Sequence, residues 1–157
     1  MNDRRLTGRR SLLRAAPAAL LVAACGGPPP PPMVDLTIKA NLDINPNAAG
    51  MPVSVAVRLY SLNARSRFES ADVFSLMQRE AQVLGTEGAS AEEVLIRPGE
   101  TRKVVLTPKP GVRFVGIAVM FRDIDRAQWR LVAPIAESGP TRLALVVRGL
   151  TAALVSP

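Results

Sequence analysis

Histidine is absent from this chain, and cysteine, tryptophan and tyrosine each occur once. Without histidine the commonest general base, proton shuttle and metal ligand is missing. A serine triad or a zinc site of the usual kind is thereby excluded. A single cysteine cannot close an internal disulfide, so the fold must rest on its own core. Aromatic residues make up only 4% of the chain, which argues against a stacking pocket for sugars. No phosphate-cradling glycine loop occurs. The remaining carboxylate pairs are poorly placed for chemistry. Glu92 and Glu93 are adjacent and point to opposite faces of a strand, while Asp123 and Asp125 supply too few oxygens for calcium and read as a salt-bridged turn with Arg122 and Arg126. An enzyme is not expected, and neither is a metal or a cofactor.

What the chain does have is concentrated at its start. Arg4, Arg5, Arg9, Arg10 and Arg14 precede and interrupt a short apolar stretch, Leu12 to Val22, that is too brief and broken to span a bilayer. Val22-Ala23-Ala24-Cys25 then resembles the lipobox of bacterial lipoproteins, which follows a charged and an apolar region of an export signal. Residues 1–24 are read as that signal and Cys25 as the lipidated first residue of the mature chain. Gly8-Arg9-Arg10-Ser11-Leu12-Leu13 also resembles a twin-arginine export motif. The whole chain carries +7, but removing the signal leaves 15 basic and 12 acidic residues, a net +3. The high isoelectric point is therefore largely a property of the signal, and no clustered basic face points to nucleic acid.

Residues 25–32 form a tether. Pro28 to Pro32 favour an extended polyproline conformation of about 3.1 Å per residue, so the eight residues from Cys25 reach on the order of 25 Å. The rest, residues 33–157, is long enough for one domain. Val34, Leu36, Ile38, Ala40 and Leu42 alternate with polar residues, as do Val53, Val55, Val57 and Leu59, which predicts two strands with one buried face each. The connection Asp43 to Pro52, rich in proline, asparagine and glycine, is predicted to be long and irregular. Val73, Phe74, Leu76, Met77, Ala81 and Leu84 recur at helical spacing and predict a helix packed on a sheet, with Ser70 as N-cap and Gly85 closing it. Further strands are expected at Val94 to Arg97, Arg102 to Thr107, Phe114 to Phe121, Trp129 to Ile135, Arg142 to Gly149 and Ala152 to Val155. The near-continuous apolar run at Phe114 to Phe121 suggests a central strand. Seven or eight strands with one helix inserted point to a mainly β, two-layer sandwich.

Several segments then resemble one family in order and spacing. Leu42 to Pro46, Gly50, Pro52 to Leu62, Phe68, Ala71 to Phe74, Leu76, Arg97 to Glu100 and Phe121 to Arg130 are similar to the TssJ (SciN, VasD) lipoproteins of the type VI secretion system. The resemblance implies a transthyretin-like β-sandwich with an inserted helical segment, held at the periplasmic face of the outer membrane by lipid on Cys25. Gly26, rather than aspartate, after the cysteine agrees with that address. The implied partner is the periplasmic C-terminal domain of TssM, within a TssJ-TssL-TssM complex. The implied contact is the loop between the first two strands, here Asn45, Pro46, Asn47, Ala48, Ala49, Gly50, Met51 and Pro52. No nucleic acid or small-molecule substrate is implied. A periplasmic solute-binding or sensing lipoprotein is the alternative, and it would need a concave apolar pocket with converging polar groups.

The lipobox carries a direct test. Cys25→Ser is expected to abolish acylation and membrane association, leaving unprocessed precursor or soluble protein on fractionation. A matured mutant retained in the outer membrane would contradict the reading.

Overall fold

The computed structural model describes residues 27–155; the signal, the lipobox and Cys25 lie outside the described residues. In chain order the elements are β1 (Met33–Ala40), β2 (Val55–Leu62), α1 (Ser66–Ser70), α2 (Val73–Leu84), β3 (Gly88–Ile96), β4 (Thr101–Leu106), β5 (Phe114–Val119), β6 (Arg130–Pro134), β7 (Pro140–Arg148) and β8 (Thr151–Val155). The strands form two four-stranded sheets, ordered β4-β1-β7-β8 and β3-β2-β5-β6. Strands β1 and β7 pair in parallel, and every other pairing is antiparallel.

The period-two pattern explains the layering. Val34, Leu36, Ile38 and Ala40 of β1 and Val55, Val57 and Leu59 of β2 are buried, and they meet Val115, Ile117 and Val119 of β5 and Leu145 and Val147 of β7 in one apolar cluster between the sheets. Leucine 42 belongs to the same pattern in sequence but falls beyond the end of β1. It is 76% exposed and lies over Gly99, where a Cβ would come within 2.8 Å of it. Likewise β2 begins at Val55, and Val53 sits before it, its N–H donating to the Ile44 carbonyl at 3.3 Å.

A third layer covers the outer face of the second sheet. Tyr60, Leu62 and Ala118 of that sheet pack with Phe68 of α1 and with Leu76 and Leu84 of α2. Strands β2 and β5 are thus apolar on both faces, which is why β5 reads as a continuous hydrophobic run. Gly116 leaves the room for this contact, since a Cβ there would approach Phe68 and Leu62 to about 3 Å. The helical insertion is two helices rather than one. Ala71 is extended, and the carbonyls of Phe68 and Ala71 accept from the Arg130 guanidinium at 3.0 and 2.6 Å, a cation at the end of α1 where the helix dipole favours it. The N-cap of α2 is therefore Asp72 rather than Ser70, its carboxylate accepting from the Ser75 N–H at 2.9 Å. Gly85 closes α2 at positive φ as predicted. The predicted helical stripe is only half buried: Val73, Leu76 and Leu84 are inside, while Phe74 and Met77 are 59% and 52% exposed.

The sandwich has two distinct ends. The Pro30 carbonyl accepts from the Gly139 N–H, and the Met33 N–H donates to the Gly139 carbonyl. The chain therefore enters at the end where β1 and β7 start. Pro30 is thereby hydrogen-bonded to the domain ahead of β1. At the other end gather the β1–β2 connection, the β3–β4 turn, the β5–β6 connection and the β7–β8 turn. The Gln128 N–H donates to the Leu150 carbonyl, and the Gln128 carbonyl accepts from Ala152 N–H, which ties the second sheet to β8 at this end.

The single tyrosine of the chain, Tyr60, is buried, and its hydroxyl has no protein partner among the described residues. Burial raises its pKa to about 12, against the opposing pull of Arg58. The unfolded chain loses this proton near its ordinary value, so between about pH 10 and 12 the unfolded state binds fewer protons than the folded one. Stability contributed by the neutral phenol is complete below pH 10 and is lost as pH rises, by roughly 1 kcal/mol per pH unit. Alkaline denaturation followed by tyrosinate absorbance is expected to show ionisation coincident with unfolding. A native titration near pH 10 would contradict this.

Candidate partner-binding site

The candidate loop divides into a buried base and an exposed tip. Ile44 and Asn45 are in the core, Asn45 with 2% of its surface exposed, whereas Ala48, Ala49, Gly50, Met51 and Pro52 are exposed. The placement of Asn45 corrects the expectation that it contacts a partner, because every polar group of its side chain is used internally. Its amide nitrogen donates to the Ser54 carbonyl at 2.8 Å, and its amide oxygen accepts from the Arg122 N–H at 2.8 Å. Its backbone N–H donates to the Gly149 carbonyl at 2.8 Å. Asn45 also holds φ at +47°, the only positive-φ residue other than glycine among those described. Asparagine tolerates that left-handed conformation better than other side chains do. One residue thus joins three connections of the sandwich end.

The tip is closed on itself. Pro46 and Pro52 form an isolated antiparallel bridge. The Asn47 side-chain oxygen accepts from the N–H groups of Ala49 and Met51 at 2.9 and 3.0 Å. The Asn47 N–H donates to the Met51 carbonyl, the Gly50 N–H donates to the Asn47 carbonyl, and Gly50 takes φ +74°. The side-chain bonds of Asn47 are the Asx turn that this residue favours, and they hold Met51 outward at 62% exposure. Pro46 and Asn47 are half-buried and serve as the turn's frame. The exposed part of the loop is consequently Ala48 to Pro52.

Beside the tip runs an open groove of about 540 Å³ floored by Arg122, Asp123, Arg126 and Leu150. Arg126 donates to the Asp123 carboxylate at 2.6 Å through Nε and also pairs with it through the terminal nitrogen. This hydrogen bond holds the Asp123 carboxyl below its ordinary range. The pair is the salt-bridged turn expected from the sequence, and Asp125 does not join it. Among the described residues no group of three or more metal-ligating side chains is close enough to hold an ion. No helix there is long and apolar enough to cross a membrane. The space between the sheets is filled by side chains, and the groove beside the loop is open surface rather than an enclosed pocket for a solute.

The role of Asn45 can be checked by removing its amide. Asn45→Ala leaves the Ser54 carbonyl and the Arg122 N–H without their partner and places alanine at positive φ. A loss of about 2–4 kcal/mol is expected, measurable by urea unfolding, together with faster amide exchange at Arg122. Asn45→Gly relieves only the backbone part and is expected to recover under half of the loss.

Comparison with known proteins now fits this geometry. The sequence model of the type VI secretion lipoproteins (VasD, EvfM, TssJ) matches residues 32–150. The T6SS lipoprotein TssJ1 of Pseudomonas aeruginosa superposes with a TM-score of 0.77 at 31% identity, over 83% of this chain and 98% of that one. A chain of a type VI membrane complex matches at 32% identity and a TM-score of 0.73, over 80% and 99%. A chain in the structure described as the T6SS protein TssM C-terminal domain (869-1107) from EAEC matches at 30% and 0.66, over 80% and 99%. Among curated proteins no significant match is found. The match runs from the last proline of the tether to the β7–β8 turn, and so includes the loop, the Arg122 to Arg126 turn and every strand but β8. The chain belongs to the TssJ family of type VI secretion lipoproteins.

Proposed function

We propose that this lipoprotein is anchored through Cys25 in the periplasmic leaflet of the outer membrane and binds the periplasmic C-terminal domain of TssM with the exposed tip of its first loop, as part of a TssJ-TssL-TssM complex. The observation that carries the reading is the polarity of the sandwich. The chain comes in at the Gly139 end, and the loop tip stands at the opposite end, roughly 25 Å away along the eight residues of β1. Lipid on Cys25 then holds one end near the membrane and presents the other toward the periplasm. Two or more acyl chains anchor stably where one alone is marginal, and no other anchor is needed.

The match to the TssM structure supports the choice of partner. The chain matched there is 99% covered by 80% of a 157-residue protein. A TssM C-terminal domain is thus named in the description of a structure that holds a chain of this size and fold. The tip suits a binding role physically: its backbone is set by Asn47 before any partner arrives, so little ordering entropy is lost on association.

The test replaces Asn47 to Met51 by a short glycine-serine link in the lipidated chain, kept in detergent. Ile44 and Asn45 are untouched, so circular dichroism and membrane fractionation are expected to match the parent. Affinity for the cognate TssM C-terminal domain, read by calorimetry, is expected to fall at least tenfold, about 1.4 kcal/mol or more. A folded variant that binds as tightly as the parent makes the loop a connection only and moves the contact elsewhere.

A further inference from the structure

Two apolar side chains of α2 remain unexplained by the fold. Phe74 and Met77 are one turn apart and both more than half exposed, although the same helix buries Val73 and Leu76 beside them. They rim a groove of about 240 Å³ whose far wall is Met120 and Ile124. Arg122 lines this groove and also the one beside the loop tip, so the two depressions adjoin at that residue. That guanidinium makes no ion pair among the described residues, whereas the neighbouring Arg126 is taken by Asp123.

We infer that the Phe74–Met77 groove is the second half of the TssM footprint, taking an apolar segment of that partner with a carboxylate set against Arg122. This rests on the TssM reading above and extends it to a new surface. Size is the first argument. A stable interface takes about 800 Å² and 20–30 residues from each side, and a tip whose exposed residues are Ala48 to Pro52 is far too small alone. Adjacency is the second, because Arg122 lines both the groove beside the tip and the one beneath Phe74 and Met77. Position disfavours a lipid occupant: Met120 and Ile124 follow β5 at the loop end, away from the end where the tether enters. Exposed aromatic and methionine side chains near the centre of a footprint are the residues on which binding energy concentrates.

The experiment measures calorimetric affinity of the lipidated chain in detergent for the cognate TssM C-terminal domain. Phe74→Ser with Met77→Ser, and separately Arg122→Glu, are compared with the parent and with the glycine-serine loop variant. Each is expected to weaken binding on the order of tenfold, with a melting temperature close to the parent, since all three side chains are exposed. If the loop variant is weakened and the α2 and Arg122 variants bind like the parent, this inference fails while the TssM reading stands. If the parent itself does not bind, the TssM reading fails and takes the inference with it. Sedimentation showing parental self-association that the double variant abolishes would assign the groove to a second copy. Loss of anionic-vesicle binding by the double variant, with TssM affinity unchanged, would assign it to lipid. Either result overturns the inference.

Discussion

The Asn45 amide is the point where three connections of the sandwich become one surface. It takes the Arg122 N–H from the β5–β6 connection and gives a proton to the Ser54 carbonyl before β2, while its backbone bonds Gly149 between β7 and β8. A buried amide with both ends satisfied specifies one arrangement, because any shift leaves a desolvated polar group without a partner. The exposed tip above it inherits that fixity. The loop's tip holds a defined shape because its base is part of the core.

Charge contributes little to this order. Arg58 with Glu80 at 2.6 Å is the best-sheltered ion pair, lying under α2, and it has a counterpart in the Arg130 bonds that end α1. Arg65 with Glu69 and Arg148 with Asp43 are exposed and longer than 3.5 Å, and Arg126 with Asp123, though close, has an exposed guanidinium, a class worth at most a fraction of a kcal/mol. The fold rests instead on two apolar layers sharing β2 and β5: one between the sheets and one under the helices. Shared strands couple the layers, so a change at Phe68 or Gly116 reaches the inter-sheet core through the backbone of β5.

Much of this was legible in the residues. The strands with alternating faces, the interior position of β5, the Pro-Gly turn and the Gly85 stop follow from periodicity and turn chemistry, which are local. The misses are all tertiary. Nothing local distinguishes Leu42 from the buried positions of β1; only the strand's end, set where the Ala40 and Asn41 N–H groups find Glu100 and Val147 carbonyls, takes it out of the core. Ser70 and Asp72 are both good caps, and Arg130, sixty residues away, decides between them by holding the Ala71 carbonyl. Tyr60 alternates with the inward residues of β2 and reads as outward, which it is, but its outward side is roofed by helix. In the candidate loop the long, irregular connection was legible from its prolines, asparagines and glycine, while the burial of Asn45 was not. An asparagine before a proline is a faint local signal, and two of its three partners, Arg122 and Gly149, lie far along the chain.

The exposed pair on α2 follows from the same layering. A helix laid on a sheet buries one stripe, and here that stripe is Val73, Leu76 and Leu84. Residues at the flank are more than half exposed and border the ledge left by Met120, Phe121 and Ile124 as β5 runs out. A polar residue at position 74 or 77 would complete an ordinary surface helix without cost to the core. Apolar residues there leave the domain with a hydrophobic surface it does not itself cover, beside Arg122, which makes no ion pair among the described residues. An apolar pair next to an unpaired cation, close to the exposed loop tip, is the combination that the proposed second half of the footprint uses.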